Sequence, residues 1–547
     1  MPDIGIDLGT TTTLLAHVVD TTQNEIIQTA ITLFPFSDIS TPVLPSEAYV
    51  AEDGHVSVGY DAKNDVKKSN NYNRYVRAVK RHMGRPSLVL PHVNKTPSEI
   101  SSAYLQYVID HAVKNLGFTA TNQLTITVPA SFTAEQRSDT LNALKDACLD
   151  RKYLITPDRL RNVLISEPIA ALLQIINDSL NKAPEQRKIN IDTNPQILVY
   201  DMGGGTLDLT LVRVGWRANS ARQHIGDVNF DIIEITRYNQ FGGEDFDIAV
   251  AKQIATKLTE TYPQLNDKEL LDSELSGYRV RLLEDAEKIK KNLIEDMAWN
   301  ENEASFSYSS EPIIISKNEY RILNWHIRLA DYLTWVSEYL MYRPHLKNAL
   351  YPIEVLLQRT NRSKRDIDYC VVVGGMTRFN PLITTLTTYW GSNTKIITSQ
   401  NPDQAVALGA AVYSALKQKN PGFTIPEPVA DVYYVKIAAG FDVLYNSRTS
   451  QHSVYHAQTT HESQTLELHI FTGDPAPDEH NLASIYPTLM PKGDLIIDMQ
   501  YQRPIGTKVF IELYFRDADS TKEPYIRVAI DQPGAFISDK KLVLAQE

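Results

Sequence analysis

Cysteine is nearly absent: Cys148 and Cys370 are the two in 547 residues, and they lie far apart in the chain. Two such thiols support neither a disulfide framework nor, without a second pair at ligand spacing, a zinc cluster. Cys370 adjoins the apolar run Val371 to Val373 and reads as a small buried hydrophobe rather than a catalytic thiol. Long apolar runs are also missing, and none approaches the roughly eighteen residues a membrane helix needs, so no membrane partner is expected. The chain opens MPDIGIDLG, directly into a short apolar strand with no signal-like n-region, and a reducing cytoplasmic location is the expectation. Positive charge is in deficit: the net charge of -12 opposes a phosphate backbone, and no dense basic stripe interleaved with aromatics offsets it. Nucleic acid is therefore not an expected partner. The richest basic stretch, Arg74 to Arg85, reads first as a solvated helix face. Neither the P-loop pattern G-x-x-x-x-G-K-[ST] nor G-x-G-x-x-G after a strand occurs, which removes the two commonest nucleotide motifs.

What is present is a chain too long for one core, of ordinary globular composition, so two or more folded domains are expected. To about residue 420, short β-rich runs such as Leu124 to Val128 and Ile197 to Tyr200 alternate with helical stretches, which predicts α/β layers. Predicted helices include Glu99 to Leu116 introduced by Ser98, Thr133 to Leu149, Leu270 to Ile294 and Ala405 to Lys419. The segment NPGFTIPEPVAD from Asn420 ends the last of these and marks a boundary. The division expected is 1–420, a linker at 421–432, and an all-β unit at 433–547, read as a sandwich. Its strands are predicted at Leu466 to Phe471, Leu495 to Tyr501, Lys508 to Phe515 and Tyr525 to Ile530.

One distant internal echo carries the functional reading. Ile4-Gly-Ile-Asp7-Leu-Gly9-Thr-Thr-Thr12 matches Val199-Tyr-Asp201-Met-Gly203-Gly-Gly-Thr206 in pattern: strand, Asp, Gly, Thr, strand. Glycine at a hairpin turn lets successive backbone N–H groups approach an anion, and threonine hydroxyls add donors and acceptors. An aspartate ending the strand suits Mg²⁺, which keeps several waters and bridges carboxylates to substrate phosphates. One copy alone would be an ordinary Gly-rich turn; two copies predict hairpins that face one ligand as a metal-phosphate clamp. The copies differ, because the second continues to Asp208 where the first has Leu14. The extra carboxylate would localise the metal and orient a water, which favours hydrolysis over mere binding.

Beyond the hairpins, seven segments resemble the DnaK-type, seventy-kilodalton heat-shock chaperone family. They are GIDLGTTTT from Gly5, TVPASFTAEQR from Thr127, SEPIAALL from Ser166, DMGGGTLDLTL from Asp201, FGGEDFD from Phe241, VVVGGMTRFNPL from Val371 and NPDQAVALGAA from Asn401. They occur in that family's order across almost all of the first domain. The resemblance implies an α/β fold, an actin-like ATPase domain of two duplicated lobes, followed by a smaller β-sandwich, with ATP/ADP and Mg²⁺ as cofactors. It implies phosphate contacts at Gly9, Thr10, Thr11, Thr12, Gly203, Gly204, Gly205 and Thr206, with Asp7 and Asp201 near the metal through water and Asp208 beside them. Lys80 falls where the family places its catalytic lysine, a cation able to stabilise phosphate charge, and Glu167 matches the glutamate near the attacking water.

For the adenosine, the resemblance implies a pocket at Gly243, Glu287, Lys290, Lys291, Gly374, Gly375 and Arg378, with Asp403 close by. Glu287, Lys290 and Lys291 are spaced to share one helical face, which by spacing alone would be a salt-bridged surface. Ile294 and Met376 stand where the family has small polar residues. Pro129 and Arg137 match a pair that carries the nucleotide state to the second domain. The linker Glu427-Pro-Val-Ala-Asp-Val432 departs from the family's apolar run, and Asp539 to Gln546 is too short for the helical lid. The expected partners are unfolded polypeptide or one dedicated client, a J-domain co-chaperone and a nucleotide exchange factor. Two other classes stay open: an ATP-switched binding module for a single protein, and a filament-forming actin relative or sugar kinase.

Overall fold

The computed structural model describes residues 3–425 apart from 22–26, 37–38, 85–88, 91, 120–121, 133, 149–162, 237–240, 267–269, 272–276, 301–302, 316–317, 345 and 400. Beyond these it describes the strands lying between 432 and 541.

Two sheets in the first part repeat one topology. The first runs Leu164–Ser166, Leu124–Val128, Ile4–Leu8, Thr12–Thr21, Ile27–Ile31, with the short strand Leu44–Pro45 added beside Thr12–Thr21. The second runs Lys395–Thr398, Tyr369–Val373, Gln196–Met202, Leu207–Trp216, Val228–Ile235. In each, three strands form an antiparallel meander whose first member pairs in parallel with a later strand, and that strand with another. Strands covered on both faces read as continuous apolar runs, and Ile4–Leu8 and Leu124–Val128 are buried along their whole length.

Each sheet's outermost parallel strand leads into a helix, Glu167–Leu180 in the first and Ala405–Lys419 in the second. The two helices pack on one another, joining one core with Val199 and Val371 of the second sheet and Leu14 of the first. Small residues in AVALGAA make the approach close: a Cβ at Gly409 would fall on the Ala170 backbone, and one at Gly5 on Ala407 and Ala411. Ser414 ties the helix to the first sheet, its Oγ donating to the Ile4 carbonyl at 2.7 Å.

The helix predicted from Glu99 starts earlier, at Pro97, and its cap is Thr96, not Ser98. Thr96 Oγ1 accepts from the Glu99 N–H at 3.2 Å and Glu99 returns the bond to the Thr96 N–H at 2.8 Å. Proline at the first helical position has no N–H to leave unpaired, so the start moves ahead of the serine. The helix predicted at Leu270 to Ile294 is observed over Gly277–Asn300, past its expected end, because Met297 continues the buried row of Leu293. The helix predicted from Thr133 is observed over Ala134–Ala147.

In the last part, Gly440–Asn446, Val432–Ile437, Ser463–Gly473 and Met490–Arg503 form one four-stranded antiparallel sheet. Tyr455–Gln458, Lys508–Ala518, Thr521–Ile530 and Phe536–Lys541 form another. The four predicted strands fall inside longer ones. The linker residues 427–431, the segment 474–489 and the end at 542–547 lie outside the described residues.

Candidate functional site

The two glycine turns come together. The first, at Gly9 to Thr11, joins Ile4–Leu8 to Thr12–Thr21; the second, at Gly203 to Thr206, joins Gln196–Met202 to Leu207–Trp216. A Cβ at Gly204 would fall on the Thr11 side chain, and one at Gly205 on Thr10, so only glycine permits this approach. The Gly203 N–H donates to the Thr206 carbonyl at 3.0 Å and closes the second turn. Behind it stands the N-terminus of the helix Gly243–Thr261, whose Gly243 and Glu244 N–H groups donate to the Gly203 and Gly204 carbonyls at 3.0 and 2.6 Å.

Beneath the turns lies a buried group of carboxylates. Asp7 is in register with Leu14, and Asp201 with Asp208, so the asymmetry between the copies falls at equivalent places in the two sheets. Asp7 Oδ1 accepts from Thr127 Oγ1 at 2.8 Å, and Asp208 Oδ1 from the Ser131 N–H at 3.3 Å. Glu167, at the start of its helix, is ion-paired with Lys80 from the short turn Val79–His82. Burial, then the nearby charge of Glu167, pushes Asp7 up to about 7 and Asp208 up to about 7. The same causes, with Asp208 and Asp7 added, raise Asp201 well above the usual carboxylate range.

Asp201 Oδ2 and Asp208 Oδ2 are buried without hydrogen-bond partners. Two orphaned carboxylate oxygens beneath glycine turns fit a divalent cation, which would satisfy them and return both groups to the charged form. Among the described residues no three His, Cys, Asp or Glu side chains converge on one point. The donor set therefore matches a hard ion sharing its coordination with water and phosphate.

The residues expected around the adenosine fall into two places. Lys290 Nζ lies 2.8 Å from Asp247 Oδ2 and 3.0 Å from the Gly243 carbonyl, and a Cβ at Gly243 would come within 3.1 Å of it. Glu287 and Lys291 pair at 2.8 Å on the same helix. Burial alone would raise Glu287, but Arg77, Lys291 and Lys290 together hold it well below its usual range. Met376 Sδ packs against Gly243, within 3.0 Å of where its Cβ would stand. Gly374 belongs with the carboxylates, since a Cβ there would lie 2.8 Å from Asp201 Oδ1. Gly375 has open space around it, and Arg378 pairs with Asp403 at 2.9 Å. Arg137 Nε donates to the Phe132 carbonyl at 3.4 Å, and the Pro129 carbonyl accepts from the Phe132 N–H at 3.1 Å.

Three features escaped the sequence reading. Arg81 crosses from the first lobe to the second turn: its Nη2 donates to the Gly205 carbonyl at 2.8 Å and its Nη1 lies 2.9 Å from Glu244. Its only signal was adjacency to Lys80. Arg77 joins Glu47, at 3.5 Å, to Glu287 across the cleft. Glu47 carried no motif at all. Asp247 lay within FGGEDFD but was not singled out.

The family model described as "Hsp70 protein" matches residues 89–469. Proteins named "Chaperone protein DnaK" from Thermotoga neapolitana and Thermotoga maritima are each 29% identical over 419 residues, covering 76% of this chain and 59% of their own length. The chain thus spans about 59% of the length of these curated relatives. With the family model covering well over half of the sequence, the chain belongs to the Hsp70 family.

Proposed function

We propose that this chain is an ATP-hydrolysing chaperone of the Hsp70 type, with the nucleotide domain at 1–420 and a peptide- or partner-binding β-sandwich at 433–547. The observation that carries the reading is the apposition of Thr10 and Thr11 to Gly204 and Gly205 above buried carboxylates with unpaired oxygens. In this reading Gly9 to Thr12 and Gly203 to Thr206 cradle the phosphates. Asp7 and Asp201 hold Mg²⁺ through water, with Asp208 adding charge; the ion would neutralise the phosphates. Lys80 faces the transferred phosphoryl group, and Glu167 both orients Lys80 and accepts a hydrogen bond from the attacking water. Gly243, Glu287, Lys290, Lys291, Gly374, Gly375, Arg378 and Asp403 surround the nucleoside.

The two antiparallel sheets in the last part supply the layers a sandwich needs. A J-domain protein and an exchange factor are the expected partners, and two buried cysteines outside any disulfide suit a reducing, cytoplasmic setting. The test is titration of unfolded peptides with ATP and with ADP while phosphate release is followed. Magnesium-dependent hydrolysis with peptide affinity that changes between nucleotides supports the reading; absence of hydrolysis sinks it. The linker sequence Glu427-Pro-Val-Ala-Asp-Val432 favours a second reading, an ATP-switched module holding one dedicated protein. Hydrolysis with nucleotide-independent peptide affinity, and a single stoichiometric partner in a pulldown, would decide for it.

A further inference from the structure

Arg81 holds the second lobe less tightly than its chemistry allows. A guanidinium beside a buried carboxylate ordinarily closes on it with two short, parallel hydrogen bonds. Arg81 Nη2 instead stands 3.4 Å from Asp245 Oδ2, farther than its 2.8 Å bond to the Gly205 carbonyl, which is a neutral acceptor. Its Nε is buried with no hydrogen-bond partner, so half of the fork is unused. Solvent is not the competitor, because Asp245 is 5% exposed.

The competitor lies on the far side of Asp245. Its Oδ2 caps the helix Gly243–Thr261 by accepting from the Gly242 N–H at 2.8 Å. Its Oδ1 accepts from Lys347 Nζ at 3.0 Å. Lys347 reaches in, with its side chain half exposed, from the segment between the helices Leu329–Leu340 and Tyr351–Arg359. The backbone beside it is firmly placed: buried Asn348 donates to the Arg343 and Leu346 carbonyls and accepts from the Leu350 and Tyr351 N–H groups. The Tyr200 hydroxyl, next in sequence to Asp201, donates to the Ala349 carbonyl at 3.0 Å. One carboxylate charge is thus divided between a cation of its own lobe and a cation of the other.

We propose that Lys347 is a positioning residue for nucleotide release: by occupying Asp245 Oδ1 it keeps the Arg81 contact loose, and so sets how readily the two glycine turns part. Without the Lys347 charge, Asp245 directs its whole charge at Arg81, whose Nε and Nη2 then close on it as a fork and bind the lobes more tightly. The direction separates this role from simple support. A lysine that merely braced the capped helix would, when removed, loosen the second turn and hasten release. The inference rests on the nucleotide-site reading above.

The test follows release of a fluorescent ADP analogue from the full chain and from Lys347→Met, which keeps the stem and drops the charge. Lys347→Met should slow release about two- to fivefold, the range for a half-exposed ion pair. Lys347→Arg should keep the wild-type rate, and slowing there equal to that of Lys347→Met overturns the proposal. In an Arg81→Ala background no fork is left to close, so adding Lys347→Met should change nothing. Unchanged or faster release in Lys347→Met overturns the proposal, as does slowing that persists with Arg81→Ala. If Lys347→Met fails to fold, Lys347→Gln carries the same test with the same outcomes. A wild-type chain that does not bind the analogue overturns the nucleotide-site reading itself, and this inference with it.

Discussion

Lys80 is ion-paired with Glu167, and both are buried beneath the paired glycine turns. Among the described residues, Lys80 is the one cation acting on Asp7, Asp201 and Asp208 there, favouring their charged forms against burial and the nearby charge of Glu167. Lys80→Ala should lower single-turnover ATP hydrolysis by about 10²- to 10³-fold, the scale for losing one electrostatic donor to a transition state. ADP binding should change far less. Equal losses in both measurements would assign Lys80 to binding instead of chemistry.

The raised carboxylates give the site a pH signature. Asp7 and Asp208 keep their protons to about 7 in the folded protein, against the ordinary aspartate value of 3.8. Between those values the folded state holds more protons than the unfolded one, so these groups' contribution to stability declines as pH rises from about 4 through 7. A divalent ion reverses the preference by favouring the charged forms. Binding of magnesium nucleotide near neutral pH should therefore release protons, and calorimetry in buffers of different ionisation enthalpy should show it. Heats that do not depend on buffer would contradict the protonated carboxylates.

Gly374 has φ +88°, a conformation that glycine adopts freely and L-residues rarely do. Its missing side chain also leaves room for the Met202 carbonyl and Asp201. Gly374→Ala should destabilise the domain by about 1–2 kcal/mol from the backbone alone and displace the Asp201 carboxylate. Denaturant unfolding measures the first effect, and magnesium dependence of nucleotide binding the second. Unchanged values for both would mean that the turn relaxes around the methyl group.

Arg81 reaches from the first lobe to the Gly205 carbonyl and Glu244, so it restrains the parting of the two turns. Arg81→Ala should speed release of a fluorescent ADP analogue severalfold, with Arg81→Lys intermediate because a lysine keeps the charge but loses the fork. Stopped-flow displacement would read this directly, and slower release in the alanine variant would refute the restraint.

The hairpins were legible because their chemistry is local: Asp7, Gly9 and Thr10 to Thr12 sit within one turn, as do Asp201, Gly203 to Gly205 and Thr206. Their registers could be counted along the chain, and Leu14 and Asp208 stand where that count places them. The cross-cleft charges were not legible. Glu47 and Arg77 meet as partners on neighbouring strands, and Glu287, distant in sequence, reaches Arg77 only across the cleft. From the sequence alone Ser98 reads as a cap, because propensity cannot weigh it against Thr96 without the bond that the Glu99 N–H donates to Thr96 Oγ1. Strands such as Val432–Ile437 and Gly440–Asn446 were missed because they adjoin the boundary segment and carry no sharp alternation.

The contact of Gly409 with Ala170 has a mechanical meaning. The helices that meet there descend from different sheets, and their backbones touch without intervening side chains. Such a crossing leaves the helices no room to approach further, so relative movement of the two sheets would have to turn about it. Glu167 lies one turn from Ala170 on the same helix, whereas Arg77 and Glu287 join the lobes through other elements. A rotation about that contact would move the Lys80–Glu167 pair little, because Glu167 shares the helix with Ala170.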